Sequence, residues 1–218
     1  MAIAPSQRTR VRRAPARAVY ERETIDAVLD EGLIAHLGFT VDGQPYVIPT
    51  LHARIGDTVY IHGSSASRMI RTLTARVPAC LTVTLIDGMV LARSAFHHSM
   101  NYRSVVVLGE ARAVSDPTEL MTVMKAFTEK LVPGRWDEVR EPNRKELKGT
   151  RALAMTLDEA SAKVRSGPPV DDDEDYDLDV WAGVIPLGLA AQPPQPDPQL
   201  REGIAPSDVV TGWTAGGR

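Results

Sequence analysis

Polar and apolar positions alternate with a period of two through much of the first half of the chain, the mark of strands with one buried face. A helical spacing replaces it in a few windows. Ile25, Val28 and Leu29 recur at that spacing and predict a helix over 21–31, stopped at Gly32. A strand over 33–40, the pair Asp42-Gly43 and a strand over 46–54 read as a hairpin. Pro49 has no N–H to give a ladder, so the second strand belongs at a sheet edge or carries a bulge. Gly56-Asp57 turns into a strand over 58–62, and a serine-rich turn opens a helix over 67–75. The alternation is cleanest over 79–86, with Ala79, Leu81, Val83 and Leu85 on one face and Thr82 and Thr84 on the other. Asp87-Gly88 predicts a second hairpin, returning over 89–93. After a polar, His-rich link comes a strand over 104–114. Asp116-Pro117 starts a helix to about 132, with Leu120, Val123, Met124 and Phe127 as its apolar stripe. A charged connection over 133–150 and closing strands over 151–157 and 162–165 complete the pattern.

Short strands at regular spacing, with few helices and no βαβ rhythm, predict a mainly β chain with peripheral helices, built as an antiparallel β-barrel. The expected organisation is an Arg-rich arm over 1–18, a barrel domain over 19–190 and a flexible Pro-rich tail over 191–218.

Composition narrows the classes. The 218 residues are 43% hydrophobic and 24% charged, ordinary for a globular chain. The net charge of −3 gives no drive toward nucleic acid, and the basic arm (Arg8, Arg10, Arg12, Arg13, Arg17) has no interleaved aromatics. No run of about 18 apolar residues is present to span a membrane. The lone Cys80 excludes an internal disulfide and a Cys-based zinc site, and its apolar strand setting predicts a buried, inert thiol. A cytoplasmic protein is the expectation. The acidic run from Asp171 to Asp179 reads as a solvated loop, without EF-hand spacing.

The stretch His62-Gly-Ser-Ser-Ala-Ser-Arg-Met-Ile-Arg-Thr-Leu73 carries the candidate chemistry. A helix start presents unpaired N–H groups and partial positive charge. Hydroxyls of Ser65 and Ser67 and the guanidinium of Arg68, with Arg71 a turn on, suit a phosphate there. The same residues also read as a plain serine N-cap on an amphipathic helix, and both readings stand on local sequence. Walker A spacing and a Rossmann fingerprint are both absent. His97-His98 has no carboxylate at ligand spacing, so no metal site is expected.

The order of these elements resembles the split-barrel flavin-binding proteins of the pyridoxamine 5′-phosphate oxidase-like superfamily, most of all the branch of flavin-nucleotide-binding and nitroimidazole-resistance-type proteins. The segments that carry the resemblance are RVRRAPARAVYERETIDAVLDEG, DGQPYVIPTLHAR, YIHGSSASRMIRTL, DGMVLARSAFHHSMNYRSVVVLGEAR and VWAGVIPL. The resemblance implies an FMN-binding split β-barrel with FMN in a cleft between the subunits of a homodimer. It puts the flavin phosphate at Ser65, Ser67 and Arg68, and the isoalloxazine edge along Val47, Ile48, Pro49 and Thr50. It sets His62 near the phosphate or ribityl chain, and brings Asn101, Tyr102 and Arg103 from a neighbouring strand. Trp181 stands near the dimer and flavin on this reading, although a tryptophan in such an apolar segment is more often a core residue than a cofactor contact. The Arg-Arg-Leu-x-Pro ending of the vitamin B6 oxidases is missing, so that reaction is not expected.

No acid–base pair or nucleophile stands out; His52, His62 and Tyr102 are the only candidates for a proton donor. The expected activity is flavin-dependent redox chemistry on a small-molecule substrate or electron donor. Two rivals remain open. One is a reductase using the deazaflavin F420 in the same barrel. The other is a non-enzymatic flavin- or haem-binding or interaction module, with His97 or His98 as haem ligand.

Overall fold

The computed structural model describes residues 2–213; Met1 and 214–218, the end of the predicted tail, lie outside the described residues. The strands are β1 (Ala18–Val19), β2 (Ile34–Val41), β3 (Gln44–Ile55), β4 (Thr58–Ser64), β5 (Pro78–Leu91), β6 (Ser99–Glu110), β7 (Arg112–Ala113), β8 (Thr150–Thr156), β9 (Ala160–Arg165) and β10 (Gly183–Pro186). The helices are α1 (Arg22–Glu31), α2 (Arg68–Thr74), α3 (Pro117–Leu131), α4 (Arg144–Gly149) and α5 (Asp208–Thr211). The expected class, mainly antiparallel sheet with a few peripheral helices, is what forms. Among the described residues no helix is long and apolar enough to cross a membrane.

The chain divides into two compact units. The first comprises Met1–Gly32, Leu81–Leu108 and Asp158–Gly188. Here β1 pairs β9, β9 pairs β6 and β10 pairs β5, all antiparallel. Ile25, Val28 and Leu29 of α1 are fully buried, as their spacing predicts. Gly32 ends that helix without a left-handed φ. It is small for another reason, since a Cβ there would lie 2.3 Å from Val83 Cγ1. The arm folds back on its own unit: Ile3 N–H donates to Tyr20 O (2.8 Å), Val11 N–H donates to the Tyr20 hydroxyl (2.9 Å), and Arg8 pairs with Glu159.

Asp87-Gly88 makes no hairpin. β5 runs straight through it, and the inward positions change from Ala79, Leu81 and Val83 to Gly88, Val90 and Ala92. That one-residue change of phase is what an inserted residue produces in a strand. Gly88 faces Pro186 of β10, where a Cβ would sit 2.9 Å from Val184 Cγ1 and 3.1 Å from Ile185 O. The glycine serves a close strand approach rather than a turn.

The second unit comprises Leu33–Cys80, Gly109–Leu157 and Leu189–Arg218. Its strands run in the order β2-β3-β4-β8-β7. Asp42 (φ 50°) and Gly43 (φ 81°) form the predicted two-residue hairpin, both with the positive φ of a type I′ turn. Cys80 is half-buried rather than buried. α3 starts at Asp116, whose carboxylate accepts the N–H groups of Thr118 and Glu119. Its stripe packs on the sheet: Val123 and Phe127 join Ala53, Tyr60, Val114, Ala152 and Ala154 in one core, with Leu120 and Met124 at its margin. The charged connection contains α4, closed by a capping box between Asn143 and Glu146. Arg140, bonded to Glu146, holds that carboxyl down at about 2. Most of the Pro-rich tail lacks regular structure, but Val209 of α5 lies where a Cβ on Gly134 would meet it at 3.4 Å.

Candidate cofactor site

β3 is two strands in one. Its first part, up to Leu51, pairs with β2, and its second part, His52–Ile55, pairs with β4. Its first half has only β2 beside it, so the outward backbone groups of 44–50 are unclaimed by a ladder among the described residues. Pro49 therefore occupies an open edge, opposite His36. Val47 is 64% exposed and Ile48 37%, with Pro49 also exposed and Thr50 half-buried. Apolar side chains beside free backbone donors and acceptors suit a flat ring with polar edges.

The serine turn lies next to this edge. Ser67 is the N-cap of α2, its hydroxyl accepting the Ile70 N–H (3.2 Å), and Ala66 N–H donates to the Ser64 hydroxyl (3.3 Å). Ser65 N–H donates to Gly149 O (3.2 Å), which pins the turn to the end of α4. The cap reading of the serines is thus realised. Ser65 and Arg68 nevertheless remain exposed, and the first turn of α2 contains no acid to offset its positive end. The Arg68 guanidinium lies over the Tyr46 ring (5.0 Å to its centroid), and Tyr46 stacks on Phe39 across the hairpin (5.8 Å, 18°). The structure thereby sets Arg68 of the serine turn on Tyr46, which precedes the edge residues Val47, Ile48, Pro49 and Thr50.

His62 is not brought there. The pleat sends Tyr60 and His62 to one face of β4 and Gly63 to the other. α2 packs on the Gly63 face, where an added Cβ would meet Ile70 Cγ1 at 3.2 Å. His62 instead meets α3, its ring 4.2 Å from that of Phe127. Its Nδ1 is buried without a hydrogen-bond partner, and burial lowers the imidazole pKa. Beside it opens a cavity of about 410 Å³, walled by Leu51, Phe127, Leu131, Val132 and Trp136, with Arg135 as a cation. Glu129 fixes this wall by accepting the N–H groups of Gly134 (2.7 Å) and Trp136 (2.9 Å).

The remaining predicted residues lie in the first unit. Asn101 is buried, donating to Gly167 O (3.1 Å) and accepting from Arg165. Tyr102 is half-buried in the ladder opposite Arg165. Arg103 is held by Glu31 (2.8 Å) and Asp87 (2.7 Å), which raise its pKa further and fasten β6 to α1 and β5. Trp181 is 66% exposed and not a core residue, its indole lying against the Gly183 backbone. The acidic run is not wholly solvated either: the buried Asp171 carboxylate accepts Arg93 N–H (3.0 Å) and pairs with its guanidinium (3.2 Å). His97 does have carboxylates near it in space, with Asp172 at 3.3 Å and Asp175 also close, although none is near in sequence.

Sequence reading missed Tyr46 as the platform for Arg68, and it missed the cavity wall. The signals were Tyr46 at the start of the proline-broken strand, and an aromatic, Trp136, next to Arg135 in an otherwise charged connection.

Comparisons with known proteins identify the family. The family model for pyridoxamine 5′-phosphate oxidase matches residues 21–164. The flavocytochrome Anf3 from Azotobacter vinelandii is similar at 42% identity and a TM-score of 0.91, covering 96% of this chain and 98% of that one. The FAD and haem binding protein from Mycobacterium smegmatis is similar at 36% identity and a TM-score of 0.87, covering 91% of this chain and 98% of that one. A proposed 5-nitroimidazole antibiotic resistance protein from Bacteroides thetaiotaomicron shares the fold alone, at 19% identity and a TM-score of 0.58, over 67% of this chain and 86% of that one. No curated protein matches. By the family match and by two relatives above 30% identity along nearly their whole length, the chain belongs to the pyridoxamine 5′-phosphate oxidase family.

Proposed function

We propose that this protein is a flavin- and haem-binding redox protein that works as a homodimer. The observation that carries the reading is the 42% identity, over 96% of the chain, to a protein named as a flavocytochrome. The flavin proposed is FAD rather than FMN, because the relative at 36% identity is named for FAD and haem. Bound flavin supplies hydride and single-electron chemistry, and haem supplies single-electron chemistry. The chain's own residues bind and orient. Arg68, with the hydroxyls of Ser65 and Ser67, holds flavin phosphate beside the start of α2. The open edge over 47–50 hydrogen-bonds the ring, and Val47 and Ile48 shield it. A second copy covers what remains of that edge. Asn101 and Arg103 act as positioning residues, since their polar groups are already engaged. The partner in turnover is a small molecule or another electron carrier. The cytoplasm, where a lone Cys80 stays reduced, is the proposed compartment.

The test is equilibrium binding of FAD, FMN and F420 to the flavin-free protein, with sedimentation in parallel. FAD should bind most tightly, and the particle should have twice the chain mass. Arg68→Ala should weaken FAD by about 1–3 kcal/mol, an order of magnitude or more in affinity. Retention of neither flavin would overturn the flavin reading, and a monomer with FAD bound would overturn the dimer.

A further inference from the structure

We propose that the cavity beside α3 is the haem site and that His62 is an axial ligand of its iron, an inference that rests on the haem-binding reading above. Buried side-chain nitrogen almost always finds a hydrogen-bond partner, yet His62 Nδ1 has none. His62 also lines the cavity, the placement that a ligand of an iron bound there requires. Coordination needs the lone pair of an imidazole nitrogen. The nitrogen lone pair forms the dative bond as the water or hydroxide on free ferric haem leaves, and no oxidant or reductant is needed.

The walls fit the rest of the ligand. Leu51, Phe127, Leu131, Val132 and Trp136 offer the apolar contact that a porphyrin face requires. Leu131 is 49% exposed, so the cavity is open on one side. Arg135 is the cation lining it; although paired with Glu138 (2.6 Å), its guanidinium retains donors for a propionate carboxylate.

The other histidines fit less well. His97 Nε2 is engaged with Asp172 and His98 Nδ1 with Ser94 O (2.9 Å), so the pair expected from sequence is committed elsewhere. His36 is exposed on β2, and His52, although buried, does not line the cavity.

The experiment is a titration of ferric haem into the full-length, haem-free protein, followed by the Soret band and electron paramagnetic resonance. Wild type, His62→Gly, His62→Met, His97→Ala and His98→Ala are compared, with folding checked by circular dichroism. Wild type, His97→Ala and His98→Ala should give the same Soret band and resonance. His62→Gly should bind haem at least about 10–100-fold more weakly, no less than the loss of a residue that merely supports a metal site. Added imidazole should restore the wild-type spectrum, which a purely structural role for His62 would not allow. His62→Met should bind with a shifted band and an altered resonance, and decides the matter if the glycine variant does not fold. Unchanged band, resonance and affinity in the folded His62 variants would overturn the ligand assignment and leave the haem reading intact. Failure of wild type to take up haem would overturn the haem reading itself, and this inference with it.

Discussion

Tyr60 and His62 stand two residues apart on the same face of β4, and Phe127 of α3 packs with both. Their polar ends have opposite fates. The Tyr60 hydroxyl donates to Glu119 (3.0 Å), and Arg112 holds that carboxylate from its other side (3.1 Å). The His62 ring has a buried nitrogen with nothing to bond and a cavity alongside. The first position is a finished core with its polar handle satisfied. The second has the same packing partner and strand geometry, but its chemistry is incomplete. A fold that can satisfy a buried tyrosine has the means to satisfy a histidine one pleat away. At the second position the ring nitrogen is left unpartnered and the ring borders a cavity instead.

Substitutions separate the two positions. The largest effect belongs to Phe127, which is 5% exposed and shared by both positions. Phe127→Ala should cost about 3–5 kcal/mol in chemical denaturation. A loss below about 1 kcal/mol would mean that Phe127 is not packed against this face. Next come two substitutions of opposite sign. Tyr60→Phe should destabilise by about 1 kcal/mol, since it removes a satisfied bond and leaves Glu119 with Arg112 alone. His62→Leu in the cofactor-free protein should be neutral or stabilise by about 1 kcal/mol, because it removes an unsatisfied buried nitrogen. Equal losses from both would erase the distinction between the two positions.

The smallest effect is on pH. Burial places the folded His62 pKa below its unfolded value of about 6.5. The unfolded chain then binds the extra proton first, so stability rises with pH between the two values and is lost as pH falls through that window. The slope from this one group cannot exceed about 1.4 kcal/mol per pH unit. Denaturation of the cofactor-free protein between pH 4 and 7 should show this slope, and subtraction of the His62→Leu profile should remove it. An unchanged slope would show that His62 titrates normally.

Much of the fold was legible because its signals are local. Asp42-Gly43 makes its turn from two residues, α1 follows from three apolar positions, and Asp116 caps α3 with its own carboxylate. Asp87-Gly88 carries the same local signal as Asp42-Gly43 and does the opposite. Its partner, β10, arrives from far downstream, and a strand approaching that closely outweighs turn propensity. Asp171 reads like every other acid in its run, and only the return of Arg93 singles it out. The candidate site divides in the same way. The family resemblance, not local pattern, set the serine turn beside the proline-broken edge, and Arg68 does lie over Tyr46. Sequence adjacency drew His62 toward that turn, although the period-two pleat sends it to the opposite face from the one α2 covers. The cavity itself depends on α3 and the turn after it lying across β3 and β4, a contact that no local pattern encodes.

The most direct test is the visible spectrum of the protein as purified from cells, with the extracted cofactors identified and counted per chain. The purified protein should show flavin bands together with a Soret band, and its extracts should contain FAD and haem. A colourless protein that takes up neither cofactor on addition would contradict the flavin- and haem-binding reading.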